Sequence, residues 1–189
     1  SFSLKENMLL GVASAATQIE GGDHSSNWND WYCQGKIKDG TDPATGNDHW
    51  EKWETDVDLM AQMGIQIYRF GIEWARLIPE PGVINEEAVE RYRSEMKALK
   101  ARGIAPLLTI HHFANPMWFE RMGAFTKREN LHHYLDLVAL AAERFGDLVD
   151  VVDNPADRRT DIVIENRKTK KQLTEYLLKK GYLPSLANK

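Results

Sequence analysis

At 189 residues, 42% of them hydrophobic and 28% charged, the chain has enough apolar side chains for one substantial core. Its net charge of −4 excludes a general binder of nucleic acid or of anionic membranes, and a single cysteine, Cys33, excludes an internal disulfide and points to a reducing, cytoplasmic setting. The opening stretch SFSLKENMLLGVASAATQIEGG holds only a short apolar run broken by polar residues, which fits neither a signal peptide nor a membrane span.

Along the chain, short apolar runs alternate with amphipathic segments. Strands are predicted at 9–14, 65–72, 105–112 and 148–152, each as rich in apolar residues as strands buried on both faces are. The first long helix is predicted over DHWEKWETDVDLMAQMG, where Trp50, Trp53, Val57, Met60 and Met63 recur at three- and four-residue spacing. The second, NEEAVERYRSEMKALKARG, opens on Asn85 as N-cap, places Glu86 and Glu87 in its first turn and ends with Lys100 and Arg102, so both ends suit the helix dipole. The third, TKRENLHHYLDLVALAAERFG, is predicted to be capped by Thr126 with Glu129 three residues on. Repeated strand-then-helix units imply parallel strands joined by crossovers.

Past Pro155 the composition changes. Residues 158–189 carry nine Lys/Arg against three Asp/Glu, whereas the preceding residues carry a net charge of −10. The domain boundary is therefore set between 1–155 and 156–189. The second part reads as one short strand, DIVIEN, and one basic helix, KTKKQLTEYLLKKG, whose charges form a solvated face or dock an acidic partner.

In parallel α/β folds ligands bind beyond the carboxyl ends of the strands, so the residues ending each apolar run are the site candidates. The first run leads to Gln18 and Glu20, the second to Arg69, Glu73 and Trp74, and the third to His111, His112, Asn115 and Trp118. Amide, imidazole and indole groups gathered at one mouth suit a sugar, whose hydroxyls need paired donors and acceptors while its C–H face stacks on rings. Adjacent histidines in a strand face opposite ways, so at most one of His111 and His112 points inward, and a metal site there is disfavoured.

These residues carry a resemblance. LLGVASAATQIEGG at 9–22 resembles the opening signature of glycoside hydrolase family 1, the β-glucosidase and phospho-β-glucosidase family. Three more blocks agree with it in order: SNWNDW at 26–31, GNDHWEKWETDVDLMAQMGIQIYRFGIEWARLIPEPG at 46–82 and LLTIHHFANPMWF at 107–119. The resemblance implies a (β/α)8 TIM barrel that hydrolyses β-glycosides with retention, here as its first four β/α units followed by a divergent strand–helix tail. It implies no cofactor and no metal, a β-glucoside or related sugar as ligand, and neither nucleic acid nor membrane as partner. By position, Gln18 resembles the glutamine that binds hydroxyls of the sugar at the cleavage site. His112, four residues before Pro116, resembles the histidine of the family's His-Trp pair, with Phe113 in place of the tryptophan, and Trp118 joins them as a substrate-binding candidate. Arg69 resembles the arginine that keeps the nucleophilic carboxylate ionised.

Retention needs two carboxyl groups about 5 Å apart. The family carries its acid/base in an Asn-Glu-Pro motif ending the fourth strand and its nucleophile in a Thr-Glu-Asn-Gly-like motif on the seventh. Where the first belongs, this chain reads Asp-Val-Val-Asp-Asn-Pro. Asp153 stands one position before Asn154 instead of after it, a displacement that turns a strand side chain to the opposite face. Glu165, in VIENR, lies ten residues past Pro155 with Arg167 where the motif has glycine. Neither is a good catalytic residue, so the expectation is a family member with its sugar-binding half retained and little hydrolysis alone. Half a barrel would leave strand edges unpaired, which calls for a homo-oligomer or a complementing C-terminal half. The alternative is a non-catalytic sugar-binding or assembly module.

Overall fold

The computed structural model describes residues 8–149 and the strand at 151–153. The elements run β1 (Gly11–Ala13), α1 (Ala16–Ile19), α2 (Asn27–Cys33), α3 (His49–Gln62), β2 (Ile67–Gly71), α4 (Trp74–Leu77), α5 (Glu86–Ala101), β3 (Ala105–Thr109) and α6 (Met117–Arg121). Two 3₁₀ turns, Ala124–Thr126 and Arg128–Asn130, precede α7 (Leu131–Phe145) and β4 (Val151–Asp153). The strands form one parallel sheet in the order β1-β2-β3-β4. Tyr68 stands opposite Val12 and Pro106, and Leu107 opposite Val151.

Side chains alternate across this sheet as the strand period of two requires. Tyr68, Phe70, Leu108 and Ile110 are buried in one apolar cluster with Val57 and Met60 of α3, Val89, Tyr92, Met96 and Leu99 of α5, and Leu137, Ala141 and Phe145 of α7. The alternate residues Ile67, Arg69, Ala105 and Leu107 are only half-buried, and β1 is exposed throughout. Burial of the strands on both faces is thus corrected for the described residues. The three long helices all feed one core, so the helix-facing side chains are sealed, while the opposite face is closed only at its carboxyl end, at Gly71 and Thr109.

Asn85 caps α5 as its position predicts, its side chain accepting from Ala88 N–H at 3.2 Å, with Glu86 and Glu87 in the first turn. Two expectations are corrected. Met63 follows the last residue of α3 and is 67% exposed, because the apolar stripe ends with the helix. The third long helix begins at Leu131 and not near Thr126, whose hydroxyl is spent donating backwards to Gly123 C=O. The buried Asn130 amide donates to the carbonyls of Met122 (3.0 Å) and Ala124 (3.1 Å), pinning a loop where continuous helix was predicted. Phe145, fully buried and edge-on to Tyr92 at 6.3 Å, joins α7 to α5. Phe145→Ala is expected to lower stability by about 3–5 kcal/mol, read as an earlier urea midpoint with an unchanged slope.

The predicted boundary at 155 and the tail's strand and helix lie outside the described residues. No helix among the described residues is long and apolar enough to cross a membrane.

Candidate functional site at the carboxyl ends of the strands

A cleft of about 420 Å³ opens where β1 and β3 end, lined by residues that include Thr17, Gln18, Trp28, Asp42, His112 and Phe113. Gln18 reaches it from the single helical turn after β1, and His112 and Phe113 reach it from the segment after β3. Two predicted sugar ligands distant in sequence therefore share one cleft. Gln18 offers both a carbonyl and an NH₂, and His112 a ring nitrogen, while Trp28 and the half-exposed Phe113 supply apolar walls. The carboxylate among the lining residues is Asp42, whose Oδ1 already accepts from Ala44 N–H at 2.8 Å.

The cleft's walls are tied to each other. Asn27 and Asn115 bond reciprocally: Asn27 N–H donates to Asn115 C=O, and Asn115 N–H to Asn27 Oδ1, both at 2.9 Å. Ser26 bridges to Pro116, and Asn27 Nδ2 donates to Phe113 C=O at 3.4 Å. Asp23 organises the near wall by accepting from the N–H groups of Ser25 and Ser26 at 3.1 Å and from the Ser26 hydroxyl. Phe113 needs such support because it sits at φ 65°, a left-handed conformation unfavourable for a residue with a Cβ.

Behind the cleft lies a dense buried polar network. Glu20 accepts from Arg76 Nε at 2.9 Å and from the Tyr92 hydroxyl at 2.6 Å; that hydroxyl in turn accepts from Glu73 N–H at 2.9 Å. Thr17 Oγ1 donates to Glu73 Oε2 at 2.9 Å. His49 bonds Asp56 through Nδ1 at 2.6 Å and Glu95 through Nε2 at 3.0 Å, and Arg91 completes the cluster on Glu95 Oε2 at 2.9 Å. Burial first, then the charges of Asp23 and Glu20, push the Glu73 carboxyl up to about 8. Burial also raises Glu20, against the opposing pull of Arg76 and Tyr92. Glu20 and Glu73, strand-end sugar candidates by sequence, are buried and absent from the cleft lining.

The remaining candidates are dispersed. Trp118 lines a different cavity, with Ile78, His133 and Asp136; its indole N–H donates to Ile78 C=O at 2.9 Å and its ring packs edge-on against Trp74. Arg69 is half-buried in β2, in register with Ala13 and Leu107 on the less covered face of the sheet. His111 turns away from the cleft into an aromatic cluster of Trp74, Phe125 and Tyr134, where its Nε2 bonds Asn115 Oδ1 at 2.9 Å and burial lowers its pKa. Asp153 ends β4 opposite Thr109, and Glu165 lies outside the described residues. No cluster of His, Cys, Asp and Glu fit to hold a metal occurs among the described residues. Thr17 and Asp42 are not legible in the sequence as site residues, since a hydroxyl beside Gln18 and an aspartate in a turn-rich loop carry no periodic signal.

Comparison with known proteins places this geometry. The chain is 32% identical over 151 residues to β-glucosidase A of Thermotoga maritima, an alignment covering 76% of this chain and 34% of that one. It is 36% identical over 157 residues to β-glucosidase 1B of Phanerodontia chrysosporium, covering 77% and 29%. A solved β-glycosidase from Pyrococcus horikoshii superposes with a TM-score of 0.72 at 38% identity, over 80% of this chain and 35% of that one. The chain thus spans about a third of the length of the curated relatives it matches. Residues 1–154 match the family model, and with the shared parallel α/β fold and the ordered sequence blocks this shows that the chain belongs to glycosyl hydrolase family 1.

Proposed function

We propose that this chain carries the sugar-binding N-terminal half of a β-glycosidase barrel, with β-glucosides as its ligand class. The observation that carries the reading is the meeting of Gln18 and His112 in one cleft beyond the ends of β1 and β3. The sheet supports the barrel part. Parallel strands paired in strict chain order, with the three long helices packed into one core, fit the wall of a (β/α)8 barrel, whereas a doubly wound sheet reverses its strand order and is covered on both faces.

Hydrolysis on this reading needs two carboxyl groups about 5 Å apart, and the lining residues of the cleft include one, Asp42. The chain binds the sugar, and cleavage requires the acid/base and nucleophile supplied by a complementing C-terminal half. A reducing compartment suits the single exposed Cys33.

Calorimetric titration with glucose and cellobiose tests the site. Gln18→Ala and His112→Ala are each expected to weaken binding about tenfold or more, as loss of a ligand hydrogen bond of about 1.5 kcal/mol does. Absence of heat with any sugar would sink the binding reading. Absence of aryl-β-glucoside cleavage after co-expression with a family C-terminal half would sink the complementation.

A further inference from the structure

Thr17 and Gln18 sit side by side on α1, a single turn with no side-chain N-cap, and both line the cleft. An isolated turn of this length does not hold itself, since nucleation costs more than one hydrogen bond returns. Its anchors come from across the fold. Glu20, just past the turn, is held by Arg76 and Tyr92, while Thr17 is held by Glu73, a residue 2% exposed and behind the cleft.

We infer that Glu73 is a positioning residue for the sugar site, fixing the amide of Gln18 in the cleft through the hydroxyl of Thr17. The inference takes its consequence for sugar affinity from the proposed function, but its geometry stands apart from that reading. The groups facing Glu73 are Thr17 of α1, Glu20 and Asp23 from the segment after it, the Ala75 N–H of α4, which donates to Oε1 at 3.4 Å, and Tyr92 of α5, whose hydroxyl accepts from the Glu73 N–H. With its carboxyl raised to about 8 by burial and by those two acids, Glu73 is protonated at neutral pH, and Oε2 serves Thr17 as a neutral acceptor. Ionisation places a charge among Glu20 and Asp23, and the relief of that repulsion moves the turn.

Nuclear magnetic resonance of the full chain between pH 6.5 and 9 reads this directly. The Thr17 methyl and the Gln18 side-chain amide are expected to shift together with a midpoint near pH 8. Glu73→Gln, which keeps a carbonyl acceptor for Thr17, is expected to abolish the titration of both. Thr17→Val, which leaves Glu73 in place, is expected to uncouple Gln18 from pH. A Gln18 amide that stays fixed in the parent chain, or titrates unchanged in Glu73→Gln, overturns the assignment. Glucose affinity is expected to fall at least threefold from pH 6.5 to 9 in the parent and to stay level in Glu73→Gln. If Gln18 follows Glu73 but no sugar binds, the positioning role holds and the sugar-site reading falls. If sugar binds while Gln18 ignores Glu73, the reverse is true.

Discussion

Replacing Arg76 with methionine is expected to lower the stability of the chain by about 3–5 kcal/mol at neutral pH, the usual cost of stranding one partner of a buried ion pair. Arg76 Nε donates to Glu20 at 2.9 Å, a further N–H reaches the Gly21 carbonyl, and the guanidinium lies 4.2 Å over the Trp50 ring. Without it the Glu20 carboxyl keeps only the Tyr92 hydroxyl as a close partner and must stay charged in a dry site or take up a proton. Acid favours the second outcome, so the loss at pH 5 is expected to be smaller than at pH 7.5. Glu20→Gln combined with Arg76→Met is expected to recover part of the loss, leaving what stacking on Trp50 contributes. Urea unfolding of both single variants and the double variant at the two pH values measures this, and strictly additive losses would show that the pair is not coupled.

The second large effect is a fall in stability of the unmodified chain as pH rises from 6.5 to 8.5. Glu73 and Glu20 have carboxyls raised in the fold above the ordinary value of 4.5, so between that value and the folded one the native state holds protons the unfolded chain has released. Stability then declines with pH across that window, which for Glu73 closes near 8. His49 acts in the same sense. Burial pulls its imidazole down, but the hydrogen bonds and charges of Glu95 and Asp56 outweigh it, so its contribution is complete below the unfolded value of 6.5 and lost as pH climbs through the raised one. Two groups have the opposite sign: His111, lowered by burial, acts only below its ordinary 6.5, and Asp147, lowered by Arg93, only below its ordinary 3.8. The decline due to Glu73 alone is on the order of a few kcal/mol. Thermal melts at pH 6.5, 7.5 and 8.5, above the range in which the lowered His111 acts with the opposite sign, should descend in that order and less steeply in Glu73→Gln; a melting point that rises with pH there would contradict the assignment of these protons.

How far the fold could be read in advance depended on whether a feature was local. The four parallel strands and the Asn85 cap follow from runs and offsets within one segment, and the structure places them within a few residues of the prediction. Thr126 had the right offset to Glu129 for a capping box, yet Asn130 and Gly123 draw the chain into a loop, a tertiary choice that spacing does not encode. The same division runs through the site. Gln18 and His112 stood out because each ends an apolar run. Glu73 and Glu20 also follow such runs, and nothing in their spacing distinguishes a side chain that faces a cleft from one that meets Tyr92 behind it. Trp118 lies close to His112 in sequence, but its indole serves Ile78 in another cavity.

The chain-order pairing of the sheet bears on how the molecule acquires its shape. Gly11 pairs with Ile67, Ile67 with Ala105 and Leu107 with Val151, so each strand's partner is the next to leave the ribosome. No strand waits for one beyond its neighbour, and each step closes only the segment between consecutive strands. Folding can therefore advance vectorially during synthesis, each new unit docking on the one before. The Asn27–Asn115 clasp, which needs β3 in place, would then form late and mark completion of the cleft.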